Sequence, residues 1–239
     1  MQTQETIQTN DTRDAMNNHG FNENFYELFQ RHGTDGPSRS LAGRLQKIQA
    51  HIQQAANGGI NKRRSLIKQD IAQQLNEAKQ AYRSERKQFG EQLIDQAWDR
   101  AEKKVKPTAH ERLADLEEAK LRAATLSDDQ MVRQAQSIKD ASPAKLAVSF
   151  RNRYEVDTLA ARLRATGNDD LADAVSERAR QVPAGLYGDE EGAGLLDAAE
   201  HYLVTQDRDA AYLRDEQGRR LAVDIDQLID LTPLENVPE

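Results

Sequence analysis

Apolar residues recur at helical spacing through most of the chain. Ile67, Ile71, Leu75, Ala78, Tyr82, Phe89, Leu93 and Ala97 follow this spacing inside a segment, Ile60 to Lys106, that contains no proline. The pattern predicts one long helix, on the order of 70 Å at 1.5 Å per residue. Its stripe repeats better at eleven than at seven residues, as Ile67, Ala78, Phe89 and Ile71, Tyr82, Leu93 show, which disfavours a left-handed zipper. Gly90 marks a bend or a close packing point within it. A helix this long cannot bury a single stripe alone. Either the helices of 108–182 cover it or another subunit does, and Ile67, Ile71, Leu75, Tyr82, Phe89 and Leu93 are the expected self-association face.

Capping residues divide the rest. Ser38 is placed to cap a helix from Arg39 to Ala56, which Asn57, Gly58 and Gly59 end. Pro107 stops the long helix, and Thr108 with Glu111 forms a capping box that opens the next. Ser127 with Gln130 repeats the box, and Ser142 before Pro143 starts a helix expected to run to about Thr166, closed by Gly167. Asn168 is expected to cap a helix through Arg180 that turns Leu171, Val175 and Ala179 inward. Pro183, Gly185, Gly188, Gly192 and Gly194 then crowd a dozen residues, the best candidate for a domain boundary. Beyond it Leu195–Val204 reads as helix, and Ala211 and Leu213 against Leu221, Val223 and Ile225 read as a hairpin about Asp215–Gly218. Asp226–Leu231 adds a helical turn.

The expected fold is mainly α: helical hairpins organised by one long helix at about 60–106, with a small acidic C-terminal α+β element. Four segments are expected. They are a flexible polar arm at 1–20, a Phe-rich anchor and turn at 21–37, a helical domain at 38–182, and the acidic element at 183–239. Phe21, Phe25, Leu28 and Phe29 fall on one face of about two helical turns and are the expected partner-docking residues.

Composition narrows the function. Of 239 residues, 37% are hydrophobic and 31% charged, and none is cysteine, which excludes disulfides, thiolate catalysis and cysteine-ligated metals. No run approaches the roughly 18 apolar residues of a membrane span. The first residues lack the basic and apolar regions of a secretory signal, so a cytoplasmic or virion-associated location is expected. The net charge of −7 is uneven: residues 61–106 carry +5 and residues 183–239 carry −10. Lys62, Arg63, Arg64 and Lys68 are the candidate phosphate contacts, with a second basic cluster at Lys103, Lys104 and Lys106. Eleven glutamines on two consecutive helices, from Gln46 to Gln96, make an uncharged polar face suited to contacts between helices.

Chemical motifs are lacking. His19, His32, His51, His110 and His201 sit in five separate segments with no metal-clamping spacing, and no phosphate loop, dinucleotide fingerprint or nucleophile elbow occurs. Paired carboxylates such as Asp128 with Asp129, and Asp169 with Asp170, fall in first turns of predicted helices, where the macrodipole favours them. No catalytic residue, cofactor or metal site is therefore assigned, and no enzyme is expected. The leading expectation is a non-enzymatic helical assembly protein of scaffold, connector or internal-virion type, a homo-oligomer or a subunit of a larger assembly. In composition the chain is similar to the helical virion-assembly proteins of tailed bacteriophages, being rich in Ala, Gln, Arg and Glu and free of Cys. The alternatives are a nucleic-acid-binding protein using the basic long helix, which is not favoured in an acidic chain, and an acidic inhibitor occupying a basic site on a partner.

Overall fold

The structure, a computed structural model, describes residues 36–60, 62–104, 106–208, 210–214 and 220–238. The expected arm at 1–20 and the docking residues Phe21, Phe25, Leu28 and Phe29 lie outside the described residues. Among those described, the chain is mainly α, with eight α-helices and one small antiparallel sheet near the C-terminus. It forms two compact units. One comprises the residues up to Arg86 together with Gln206–Glu239, and the other comprises Lys87–Thr205.

In the first unit, α1 (Gly36–Ala56) turns Leu41, Leu45, Ile48, Ile52 and Ala55 to one side, a spacing of three and four residues. They pack with Ile67, Ile71, Ala78 and Tyr82 of α2 (Arg64–Lys103), which supplies its residues up to Arg86 to this unit. The C-terminal segment closes the core. Strands β1 (Ala210–Arg214) and β2 (Arg220–Asp224) pair antiparallel with Ala211 opposite Val223, and both of these residues are buried. Ile225, expected as a strand residue, instead opens a 3-10 turn (Ile225–Leu228), and a second turn at Thr232–Asn236 buries Leu234 against α1. Ser38 does not cap α1. The helix begins two residues earlier and Ser38 lies buried inside it.

Polar bonds hold the returning segment. The amide of Gln49 donates to the Asp230 carbonyl at 3.2 Å and accepts from the Asp230 N–H at 3.1 Å, so a buried glutamine pairs like a strand. The Arg64 guanidinium donates to the carbonyls of Val237 and Glu235, both at 2.8 Å. Arg44 and Ser40 of α1 both donate to Glu85 of α2, and the Arg44 bond holds the Glu85 carboxyl below its usual range. Arg86 is fully buried, its guanidinium 5.4 Å from the centre of the Tyr82 ring.

The second unit is built from short helices: α3 (Ala109–Thr125), α4 (Asp128–Lys139), α5 (Pro143–Ser149), α6 (Arg153–Ala165), α7 (Asp169–Arg180) and α8 (Glu190–Val204). With the end of α2 they enclose a core in which small residues alternate with larger ones, including Ala97, Met131, Ala135, Leu146, Leu159, Leu163, Val175 and Leu196. Both predicted capping boxes are present, Thr108 with Glu111 and Ser127 with Gln130, and so is the Ser142 cap before Pro143. The helix expected from Ser142 to Thr166 is broken at Phe150–Asn152. The Asn152 side chain accepts from the Glu155 N–H at 3.2 Å and starts a new helix, α6. Asn168 makes no capping bond to α7, its amide turning back to Thr166 instead, while Gly167 closes α6 with φ 77° as expected.

The long helix is shorter than the expected 60–106 and runs unbroken through Gly90. Gly90 is a close packing point: a Cβ there would lie 3.0 Å from the Leu203 side chain of α8. The glycine-rich run at 183–194 is no linker either. Gly185 presses on the backbone of Ala101, Leu186 is wholly buried, and residues up to Thr205 pack with the helices before them. The packing units therefore do not divide at 183.

Candidate functional site

α3 buries little of itself. It packs on α6, and Ala119 and Ala123 are its only fully buried residues. On the opposite face Leu113 is 60% exposed and Leu121 69%, flanked by exposed Ala114 and Ala124. Leu113, Glu117 and Leu121 are spaced i, i+4, i+8, so Glu117 stands between the two leucines on one row of the helix. Other large apolar side chains with similar exposure, such as Leu66, Val148 and Val204, stand singly.

Local polar bonds add to the packing that holds this half-bare helix. Thr108 Oγ1 accepts from the Glu111 N–H at 3.3 Å, and Glu111 Oε2 accepts from the Thr108 N–H at 2.7 Å. The backbone and hydroxyl of Thr108 thereby hold the Glu111 carboxyl below its usual range. Further along, Arg122 donates to Glu155 of α6 at 2.9 Å and to Glu118 at 2.7 Å, and Arg151 reaches Glu118 at 3.1 Å. These bonds fix the inner side of α3 and turn the leucine face outward. A hollow of about 240 Å³ lies against the inner side, between Ala119, Ala123, Phe150 and Leu159. It is smaller than ordinary ligand pockets, and its charged lining, Arg122 and Glu155, is mutually paired.

The expected self-association residues are largely covered by the chain itself. Ile67, Ile71 and Tyr82 are 0–3% exposed in the first unit's core, and Leu93 is buried. Leu75 and Phe89 are half-buried, Phe89 meeting the Tyr202 ring edge-on at 5.0 Å. The stripe as a whole is thus not a bare face.

The candidate phosphate contacts divide. Arg64 holds the C-terminal carbonyls and Lys62 pairs with Asp70 at 2.6 Å, whereas Arg63 and Lys68 are exposed. At the other end of α2 an open hollow of about 480 Å³ is lined by Gln96, Asp99, Arg100, Lys103 and Lys104. Two of its three cations, Arg100 and Lys104, already have an anion. Asp189, the N-cap of α8, is buried and accepts from Arg100 Nε at 2.7 Å, Lys104 Nζ lies 3.2 Å away, and the Gly192 N–H donates at 3.2 Å. Arg100 foremost, with the Gly192 amide and Lys104, holds the Asp189 carboxyl far below its usual range. This carboxylate sits where a phosphate would be drawn by two cations and a helix N-terminus.

Arginines elsewhere finish helices. Arg153 donates to the Ala179 carbonyl at 2.8 Å, Arg178 to that of Lys139 at 2.9 Å, and Arg162 to that of Leu126 at 3.4 Å. Each satisfies a carbonyl at or near the end of another helix. Tyr187 does likewise for Ala179, and burial pushes its hydroxyl up to about 12.

Among the described residues no group of three or more His, Asp or Glu side chains is arranged to hold a metal, and no helix is long and apolar enough to cross a membrane. The bare α3 face, Arg86 and the Asp189 cluster were not singled out in the sequence. The spacing of Leu113 and Leu121 was the one available signal, and it does not tell a covered face from an open one. Comparison of the chain with protein-family models, with curated proteins and with solved structures gives no match.

Proposed function

We propose that the chain is a non-enzymatic helical assembly protein that joins other subunits, copies of itself or different chains, through helix faces its own fold leaves bare. The observation that carries this reading is α3, which fully buries only two alanines, half-buries Leu116 beside them and exposes its other two leucines on one face. Helices in a monomeric domain ordinarily place their larger apolar side chains inward. The cationic groups argue less for nucleic acid, since Arg64, Arg100, Lys104, Arg153, Arg162 and Arg178 are engaged with carbonyls or carboxylates of the same chain.

The test is absolute mass by light scattering over a range of protein concentration, alone and after incubation with extract of the source cells, for the wild type and for Leu113→Glu with Leu121→Glu. Both positions are exposed, so the fold is retained, as circular dichroism will check. The wild type is expected in a particle larger than the 26.9 kDa monomer in at least one setting, and the variant in a smaller one. Two proteins that are monomers throughout would overturn the proposal.

A further inference from the structure

The end of α1 holds a chemically reactive pair. Asn57–Gly58 is the one Asn-Gly sequence in the chain, and it follows Ala56, the last residue of α1. Gly58 takes φ 75°, its N–H donates to the Ala55 carbonyl at 3.1 Å, and the Gly59 N–H donates to the Gln54 carbonyl at 2.9 Å. These paired bonds are how a glycine in the left-handed region closes a helix. The same two residues are suited to a second reaction. Joining Asn57 Cγ to the Gly58 nitrogen closes a five-membered ring, and glycine, without a Cβ, leaves that nitrogen open to attack. Asn57 and Gly58 are both exposed, and a Cβ built on Gly58 would meet no atom within 4 Å, so the fold does not crowd the ring. Asn152 and Asn168 differ on both counts. They are followed by Arg153 and Asp169, and their side chains are bonded to Glu155 and Thr166.

The closed cap holds the reaction back, because the Gly58 N–H is bonded to Ala55. Opening the cap costs little. Gln53, Gln54, Asn57, Gly58 and Gly59 are all exposed, so releasing Gly58 and Gly59 uncovers little apolar surface and gives up chiefly their two bonds. Two bonds of ordinary net strength leave the cap open in about one molecule in ten to one in a hundred.

We propose that Asn57 is a site of spontaneous deamidation in the folded protein, reached by opening of the α1 cap and not by unfolding of the chain. The Gly58 nitrogen gives up its proton to hydroxide and attacks Asn57 Cγ. The new C–N bond closes a cyclic imide, and the side-chain nitrogen takes a proton from water and leaves as ammonia. A second water then opens the imide at either carbonyl, giving aspartate or isoaspartate. Both products act on the cap. A carboxylate at residue 57 meets the negative end of α1. Isoaspartate also routes the main chain through its Cβ, one atom longer, so that Gly58 and Gly59 no longer reach Ala55 and Gln54 together. A closed helix end thereby becomes a loosened one, without return.

The full chain is incubated at mildly alkaline pH in buffer and in concentrated urea, sampled over time and digested with trypsin. Mass spectrometry follows the peptide 48–62, released after Lys47 and Lys62, and fragmentation separates Asn57 from Asn61. Deamidation appears as the mass gain of an amide turned into a carboxyl, in two products that elute apart. The rate at Asn57 in the folded chain is expected about 10–100-fold below that in urea. A reaction confined to unfolded molecules would be slower by about a thousandfold or more, as the unfolded population of an ordinary domain is small. Urea below the unfolding transition should leave the folded-chain rate nearly unchanged, since local opening exposes little surface. Gly59→Ala would bring a Cβ to 3.0 Å from the Gln54 carbonyl oxygen that the cap bonds, and should speed the reaction severalfold. Asn57→Gln, whose ring would be one atom larger, should remove the mass gain at position 57. A thousandfold suppression in the folded chain, a rate that climbs with urea in step with unfolding, or a rate unmoved by Gly59→Ala would each overturn the proposal.

Discussion

Gly185 lies in the 3-10 turn Ala184–Leu186, inside a segment whose composition resembles a linker. In a linker, Gly→Ala would be neutral or would stabilise by about 0.4–1 kcal/mol, by narrowing the unfolded ensemble. The structure requires the opposite sign. A Cβ on residue 185 would lie 2.5 Å from the Ala101 carbonyl oxygen and 3.0 Å from the Ala101 Cα. These are backbone atoms of a helix and cannot swing aside as a flexible side chain would. Overpacking of this kind costs about 1–3 kcal/mol, so Gly185→Ala should destabilise the second unit by about 1–2 kcal/mol after the unfolded-state gain is subtracted. Gly194 supplies the control. It lies within α8 with no atom within 4 Å of its added Cβ, so Gly194→Ala should stabilise by about 0.5–1 kcal/mol. Trp98, the chain's one tryptophan, lies a turn before Ala101 on α2 and reports on this unit through its fluorescence during urea unfolding. The midpoint should fall for Gly185→Ala by about 0.5–1 M and rise for Gly194→Ala. If both variants shift the midpoint upward, the 183–194 segment is a linker and the packing described here is wrong.

Two further predictions follow from buried polar groups. Asp189→Asn keeps the side chain's shape and an acceptor for Gly192 but removes the charge facing Arg100 and Lys104. Because those cations are 37% and 41% exposed and can rehydrate, the loss at pH 7 should be about 1–2 kcal/mol rather than the 3–5 of a fully buried pair. Asp189 has a folded-state pKa below its unfolded value of about 3.9, so its contribution is complete above that value and is lost as the pH falls towards the folded one. The stability gap between wild type and Asp189→Asn, followed by urea unfolding, should hold from pH 8 to 5 and narrow below about pH 4; a gap unchanged down to pH 2.5 would refute the charge assignment. Gln49→Ala leaves the Asp230 N–H and carbonyl without their partner and should cost about 1–3 kcal/mol, with faster hydrogen exchange at Asp230 as the specific sign.

Local grammar was legible in the sequence and long-range return was not. The boxes at Thr108–Glu111 and Ser127–Gln130 are decided within four residues, so reading them requires no tertiary structure. The break before α6 used the same grammar, Asn152 with its acceptor bond to Glu155, and was masked by an apolar spacing that continues across it. Gly185 and Gly192 were misleading because a turn, a linker and a close approach all call for glycine, and only the neighbour across the gap separates them. The C-terminal segment returns to α1 through Gln49 and Asp230, which are 181 positions apart, and no periodicity carries information over that separation. The stripe of α2 was correctly seen as too long to cover itself. Its covering came in part from strands and turns at the far end of the chain, Ala211, Val223 and Ile225, where the sequence had proposed the middle helices or another subunit.

The low apolar content bears on the bare face of α3. With 37% hydrophobic residues, the second unit closes its core by bringing helices together over alanine, at positions 97, 135, 147, 160, 172, 179 and 193. Arginines from neighbouring elements finish the helix ends. A single exposed leucine on such a protein would need no explanation, because much of any folded surface is apolar. Two exposed leucines on one row of one helix, opposite a side that holds Ala119, Ala123 and the half-buried Leu116, depart from the usual amphipathic arrangement. The outward leucines are the feature on which the proposed assembly role rests, and a second helix laid over them would restore the usual arrangement.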